Sequence, residues 1–491
     1  MLRRGLRISL LAGACLAATA PASADTLKDA LNDAYRTNPT LEGARAQQRA
    51  TDENVPIQEA SALPNLSATG TYTEYLKQSS GSFSSQARSA AGTLNLSVPI
   101  YQGGAVKNGI KAAETRDVAG RATLRGSESS LFSQVVGAYM DVILNEAVVG
   151  LNANNVHVLQ VNLESTQDQF QIGQLTRTDV AQSQSRLALA QGDLRNAQAN
   201  LVSARERYVQ LVGKAPTDLQ PPPPLPGLPA AVNDAVKDAI QNNPDLIAAQ
   251  ENADAAGFDI EVAGAARLPK VSLFVSGNAS DNLGSLSSSL IPLSIPELQT
   301  TAQAGVQLTL PLYQGGRPAA QERQAQDRAS QALEQVVATE RNVIQQVRSA
   351  YSAWQASQAI IASSQTAVSA AALSLEGTRA EQSVGTRQII DVLNAEQELL
   401  QAQVQLVTAR RNAYVAGFTL LAAMGRAEAR DLGLDDQGPL YDPVVNYDRV
   451  KHKFNDWSFD PDPVTQSTRT VDIPPQDANI PPQQQQADTG Q

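Results

Sequence analysis

Two periodicities alternate along this chain. Between about residues 65 and 101, apolar positions recur every second residue. Leu66, Ala68, Gly70 and Tyr72 alternate with Ser67, Thr69, Thr71 and Thr73, and Leu94, Leu96, Val98 and Ile100 return against Thr93, Asn95, Ser97 and Pro99. Such alternation predicts strands with one apolar face, over about 65–76 and 92–101, joined by a Ser- and Gly-rich loop over 78–87. The pattern reappears over about 270–278 and 303–313, from Val271, Leu273 and Val275 to Val306, Leu308, Leu310 and Leu312. Elsewhere the period is helical. Long patterns run from about Ala105 to Gln171 and from Arg317 to Ser383, each some 67 residues or about 100 Å at helical rise. Heptads follow: Leu187, Leu194, Leu201 and Tyr208 with Ala190, Ala197, Ala204 and Leu211; then Leu399, Leu406, Ala413 and Leu420 with Ala402, Ala409, Ala416 and Ala423. Alternating large and small layers allow helix backbones to approach closely, as in a coiled-coil seam.

The two sets are copies. Ala30 to Leu41 is mirrored by Ala235 to Leu246, 205 positions on, and each holds an Asn-Pro (Asn38-Pro39, Asn243-Pro244) that divides a short helix from a longer one. After the strand loop the offset is 212. Tyr101-Gln102-Gly103-Gly104 repeats as Tyr313-Gln314-Gly315-Gly316, a strand-to-helix turn in which paired glycines permit a sharp change of direction. Gly173-Gln174-Leu175 and Asp179 repeat as Gly385-Thr386-Arg387 and Asp391, where glycine interrupts two helical patterns. These stretches read as tips of long helical hairpins. A helix over 25–61 and another over 176–213, about 55 and 57 Å, match the long helix only when stacked end to end. Fixed-offset duplication of this kind sets the architecture before any element is assigned.

The organisation is therefore a leader over 1–24, a first repeat over 25–213, a Pro-rich linker over 214–230, a second repeat over 231–425 and an extension over 426–491, rich in Pro, Asp and Gln and expected to be largely disordered. The leader has Arg3, Arg4 and Arg7, an apolar run and Ala22-Ser23-Ala24, the pattern of a cleaved export signal. It holds the only cysteine, Cys15, so the processed chain has no disulfide and no thiolate. Losing three arginines takes the net charge from −11 to −14, which argues against nucleic acid as a partner. No later run of 18 apolar residues suggests a helical membrane span. The four strands instead suit a membrane β-barrel, or a hairpin pair in a soluble sandwich. Four strands cannot close a barrel, so several chains must share one: two copies give 8 strands, three give 12.

Candidate chemistry is sparse. His157 and His452 are the only histidines and have no ligand spacing, and no phosphate loop or nucleophile elbow occurs, so neither catalysis, nor a metal, nor a cofactor is expected. An exported coiled-coil adhesin accounts for the heptads and the leader but leaves the symmetrically placed strands unexplained.

The duplicated Asn-Pro, Tyr-Gln-Gly-Gly turns, glycine tips and Thr386-Arg387…Asp391-Val392-Leu393 together resemble the TolC family of outer-membrane efflux and type I secretion channels, over about residues 25–430. The resemblance implies a mainly α fold with a small membrane β-barrel portion: a duplicated helix–strand–strand–hairpin unit that forms a trimeric α/β-barrel tube in the Gram-negative outer membrane, with a long periplasmic portion. It implies an exit duct that works as a homotrimer with a periplasmic adaptor and an inner-membrane transporter of the ABC or RND type. It also implies contact with outer-membrane lipid. Carried over by position, Asp391 constricts the pore, and Asn394 stands where a second constricting aspartate can occur. Arg387 and Asp179 form a gate latch, with Gln382 where a gating tyrosine can stand. Gly173, Gln174, Leu175, Gly385 and Thr386 are the tips that meet the adaptor. The two departures imply a less acidic mouth with fewer closing bonds. Arg387 and Asp391 also have the spacing of a solvated i,i+4 helix pair.

Overall fold

The computed structural model describes residues 25–77, 84–288 and 296–480. The leader, the last eleven residues and part of each strand loop lie outside these. In chain order come α1 (Leu27–Thr37), α2 (Pro39–Asp52), α3 (Asn54–Ala60), β1 (Asn65–Glu74), β2 (Ser84–Gln86), β3 (Arg88–Gln102), α4 (Ala105–Gln171) and α5 (Arg177–Val212). The second repeat supplies α6 (Val232–Asn242), α7 (Pro244–Gly264), β4 (Lys270–Asp281), β5 (Leu286–Ser288), β6 (Leu298–Thr309), α8 (Arg317–Ser383) and α9 (Ile389–Ala423). A short α10 (Pro443–Val450) follows.

The Asn-Pro pairs do more than break a helix. Asn38 accepts from the Thr40 amide at 2.9 Å, capping α2, while its side-chain amide donates to the Leu211 carbonyl at 2.9 Å. Asn243 does both jobs in the second repeat, accepting from Asp245 at 3.0 Å and donating to the Ala423 carbonyl at 2.9 Å. Each asparagine thus joins the start of an upper helix to the end of a lower one. The end-to-end stacking that the lengths demanded is held there.

One break was not expected. The helix that resumes at Pro39 stops at Asp52, and α3 starts at Asn54. Pro56 has no amide to offer the Asp52 carbonyl, so the ladder fails there. Glu261 stands at the matching place in α7, which runs unbroken.

The four long strands form one antiparallel sheet in the order β1-β3-β4-β6. Its register aligns Leu66 with Leu96, Leu96 with Val275 and Val275 with Ala304; in a neighbouring row Val98 faces Leu273, and Leu273 faces Val306. Directly opposed residues share a face, so one whole face is apolar. It is also exposed: Leu66, Leu94, Leu273, Val306 and Leu308 all stand open in the single chain. An exposed apolar band of this kind is built for lipid. β3 begins earlier than the alternation predicted, and β6 spans Leu298–Thr309 rather than reaching residue 313. Thr309 pairs with Lys270, the first residue of β4, so beyond it β6 has no partner within the chain. β1 and β6 are the sheet's two open edges.

Around the tube the upper helices follow the order α2, α4, α7, α8, and the lower ones α5, α4, α9, α8. The main core surrounds α4, with Phe132, Val135, Tyr139, Leu201 and Tyr208 fully buried. Part of α4 is apolar enough over 18 residues to pass for a membrane span. Its apolar residues from Leu131 to Val142 belong to this core instead.

The extension departs from the expectation of disorder. Parts of residues 426–480 pack along the first repeat. Ala427, Ala429, Leu434 and Val450 are buried, and Ala478 and Ile480 pack on the main core. Arg205, itself paired with Glu146 at 2.6 Å, donates to the Asp477 and Asn479 carbonyls at 2.8 and 2.9 Å. Polar composition hid this, because the apolar anchors are few and spaced apart, and hydrogen bonds to buried groups such as Arg205 and Tyr35 add to them.

Candidate functional site: the hairpin tips

Both tips are built the same way. At the end of α4, Gly173 has φ +80°, its amide donates to the Phe170 carbonyl at 3.0 Å, and the Gln174 amide donates to Gln169 at 2.9 Å. At the end of α8, Gly385 has φ +82° and donates to Gln382 at 3.0 Å, and Thr386 donates to Glu381 at 3.0 Å. These are Schellman ends, which need a left-handed residue and hence glycine. Gln174, Gly385 and Thr386 are exposed and Leu175 half-buried.

The duplicated aspartates close the other side of each tip. Asp179 accepts from the Thr176 hydroxyl at 2.7 Å and the Thr176 amide at 2.9 Å, and its own amide donates to the Thr176 hydroxyl at 3.3 Å. Asp391 accepts from the Gln388 amide at 3.3 Å. Each carboxylate therefore caps the helix that follows. The Thr-x-x-Asp spacing carries this signal, and the sequence reading passed over it.

Arg387 and Asp179 are not brought together within the chain. Arg387 donates to Glu381 at 2.8 Å, a partner the sequence reading missed, and both side chains are half exposed. That hydrogen bond first, then the charges of Glu381 and Asp391, raise the Arg387 pKa above its ordinary value. Gln382 is half-buried and contributes its carbonyl to the glycine end. The four turn glycines, Gly103, Gly104, Gly315 and Gly316, all have positive φ, between +62° and +87°.

A clasp lies just behind the tips. Asn394 is exposed and accepts from Arg186 of α5 at 2.7 Å. Two residues on, on the buried side of α9, Glu396 is 5% exposed. It accepts from Asn162 of α4 at 2.8 and 3.0 Å and from Arg379 of α8 at 2.9 Å. Thr166 and Ser183 meet at 3.3 Å in the same layer. Leu393, 1% exposed, packs with Leu159, Leu187 and Ala190 of the first hairpin. Glu396 thus joins both hairpins, and a buried carboxylate held by two side chains through three hydrogen bonds is costly to leave unpaired. No spacing in the sequence announces it, because its partners lie on two other helices.

The same architecture occurs in known proteins. The chain is 33% identical over 447 residues to the outer membrane efflux protein BepC of Brucella suis, covering 91% of this chain and 94% of that protein. It is 28% identical over 424 residues to the outer membrane protein TolC of Escherichia coli, covering 83% and 84%. The crystal structure of the Campylobacter jejuni CmeC outer membrane channel superposes with a TM-score of 0.71 at 17% identity, over 87% of this chain and 89% of that one. The family model described as outer membrane efflux protein matches residues 30–214 and 235–426, both repeats almost end to end, and the chain belongs to that family.

Proposed function

We propose that passage through this duct is controlled at the hairpin tips by two sets of contacts, one within each chain and one between copies. The chain is the outer-membrane exit duct of an export system: a homotrimer whose shared 12-stranded barrel lies in the outer membrane and whose helical tube crosses the periplasm. It works with a periplasmic adaptor and an inner-membrane transporter.

The observation that carries the gate is the Glu396 clasp, which ties α9 to α4 and α8 immediately behind the tips. Asp391 lies in the first turn of α9, held by its capping bond. One such carboxylate per copy forms a ring at the mouth that attracts cations and repels anions. Asn394, engaged with Arg186, adds no second charge to that ring. Within one chain Asp179 caps α5 and Arg387 holds Glu381, so the latch between them joins neighbouring copies. Exposed pairs of this kind are weak and exchange partners readily, which suits a contact that a docking adaptor must undo. The adaptor meets Gly173, Gln174, Leu175, Gly385 and Thr386, whose tip-turn amides are largely satisfied within the turns. The transporter is of the ABC or RND type, and the cargo is small molecules or secreted protein.

Single-channel conductance of the purified trimer in a planar bilayer tests the reading. Small cation-selective steps are expected, and they should enlarge in Glu396→Ala and to a lesser degree in Arg387→Ala. Steps of unchanged size in both variants would place the gate elsewhere.

A further inference from the structure

The duplication creates two pseudo-equivalent grooves on the outside of the tube, and the described residues fill only one of them. In the first repeat α10 occupies it. Asn446 donates to Asp52 at 2.5 Å, the Tyr447 ring lies 4.8 Å from the Arg121 guanidinium, and the Tyr441 amide donates to the Tyr35 hydroxyl at 2.9 Å. Gln48 bridges Asp52 and Asp117 at 2.7 Å each beneath it.

At the matching positions of the second repeat this polar set is gone. Asp52 becomes Gly257, Asp117 becomes Ala329, Arg121 becomes Leu333, Arg125 becomes Val337 and Tyr35 becomes Ile240. Leu333 is 60% exposed, Val337 42% and Ile240 39%. The first groove is polar and covered; the second is apolar and bare. Adjoining exposed apolar residues at one place mark a contact surface.

The extension carries a matching surface. Just past α10, Phe454, Trp457 and Phe459 are 53, 82 and 78% exposed, and Trp457 meets Phe459 edge to face at 6.5 Å. Asp460 accepts from Arg449 and Lys453 at 2.9 Å each, folding the segment back so that the aromatic corner is presented. These two cations hold the Asp460 carboxyl at about 2. α10 packs on α2, and α2 flanks α4 on the side away from α7, so α2 is the chain's outer edge and α8 the opposite one. Closing three copies into a ring sets α8 of one beside α2 of the next. The bare groove on α8 then lies about one helix diameter, roughly 10 Å, from the neighbour's extension.

We infer that the occupant of this groove is a second copy of the chain: the aromatic corner Phe454–Trp457–Phe459 of one protomer covers Leu333 and Val337 of the adjacent one. The extension, which lies beyond the part of the chain that the family model matches, is then an intersubunit strap.

The chain has two tryptophans, so Trp354→Phe leaves Trp457 as the sole reporter in the full-length trimer. In the purified trimer its emission should be blue-shifted and its quenching by acrylamide severalfold weaker than that of free indole. Leu333→Asp should abolish both effects while the trimer persists on native gels. Free-indole quenching in the trimer overturns the inference, and so does protection that survives Leu333→Asp, because something else then covers the tryptophan. Independently, Leu333→Cys with Trp457→Cys in the processed, cysteine-free chain should give covalent dimers and trimers on oxidation. Intrachain bonds alone, or none, would equally sink the proposal.

Discussion

α4 and α8 have the same length, occupy the same place in their repeats, and differ sharply in burial. Of 67 residues each, 21 are buried in α4 and eight in α8. Composition accounts for part of this, since α4 carries the more apolar stretch, and placement accounts for the rest. α4 has neighbours on both sides, α2 and α5 on one and α7 and α9 on the other, and it also lies beneath the extension. α8 has α7 and α9 as its long neighbours on one side, with only the short α6 packed on it besides. The chain folds around its first long helix and leaves its second as a flank. A tube closed from three copies completes the environment of α8 with the first repeat of a neighbour, so the second long helix finds between copies the packing that the first finds within its own chain.

The widest test of that asymmetry is a matched pair of core truncations. Phe132 is fully buried and packs near Tyr35 with ring centroids 6.1 Å apart. Phe132→Ala should cost about 3–5 kcal/mol in chemical unfolding of the detergent-solubilised protein, and the counterpart Ile344→Ala, at a half-buried site, about 1–2. Equal losses would mean that α8 is packed as tightly as α4 and that the contrast vanishes on assembly.

The second test uses pH. Burial first, then the hydrogen bond from neighbouring Asp52, push the Asp117 carboxyl up from 3.8 to about 7, against the lowering effect of Arg121. A folded-state value above the unfolded one means that the folded chain holds the proton more tightly. The stabilisation is therefore complete below about pH 4 and is lost as pH rises toward 7. Roughly 2–4 kcal/mol is expected to disappear over that window. Thermal unfolding of Asp117→Asn should show a shallower decline, and the remaining slope belongs in part to Glu128, also raised to about 7 chiefly by burial. The second repeat has Ala329 and the exposed Glu340 at these places. An identical slope in the variant would remove Asp117 from the account.

A smaller effect separates the duplicated tyrosines. Tyr139 donates to the Asp25 and Gln220 carbonyls at 3.0 and 2.7 Å, whereas Tyr351 donates only to Ala230 at 2.9 Å from a half-buried position. Tyr139→Phe should cost about 1–3 kcal/mol and Tyr351→Phe less than about 1, read as shifts in the unfolding midpoint. A reversed order would contradict the assignment of the core to the first repeat.

Much of this architecture can be read along the chain. The Asn-Pro pairs, the glycine turns, the hairpin tips and the four strands are all local, and duplication states each of them twice. The break at Asp52 was also legible in Pro56, four residues on, and the aspartate caps in Thr176-x-x-Asp179. The clasp was not. Glu396 meets Asn162 across 234 positions and Arg379 on another helix, and nothing about an isolated glutamate marks it as buried. The latch residues were identified by resemblance, but within one chain Arg387 turns to Glu381 and Asp179 to its own helix end.

The sequence by itself determined the repeat, the order of its elements, the heights at which helices stack and the apolar face of the sheet. Those follow from periodicity and backbone geometry, which act over a few residues at a time. Only the tertiary structure decided which copy of each element is buried, where the extension lies and which charges meet. Those depend on which surfaces the folded chain brings within a few ångströms, and identical local patterns acquire different partners on the two sides of an asymmetric chain.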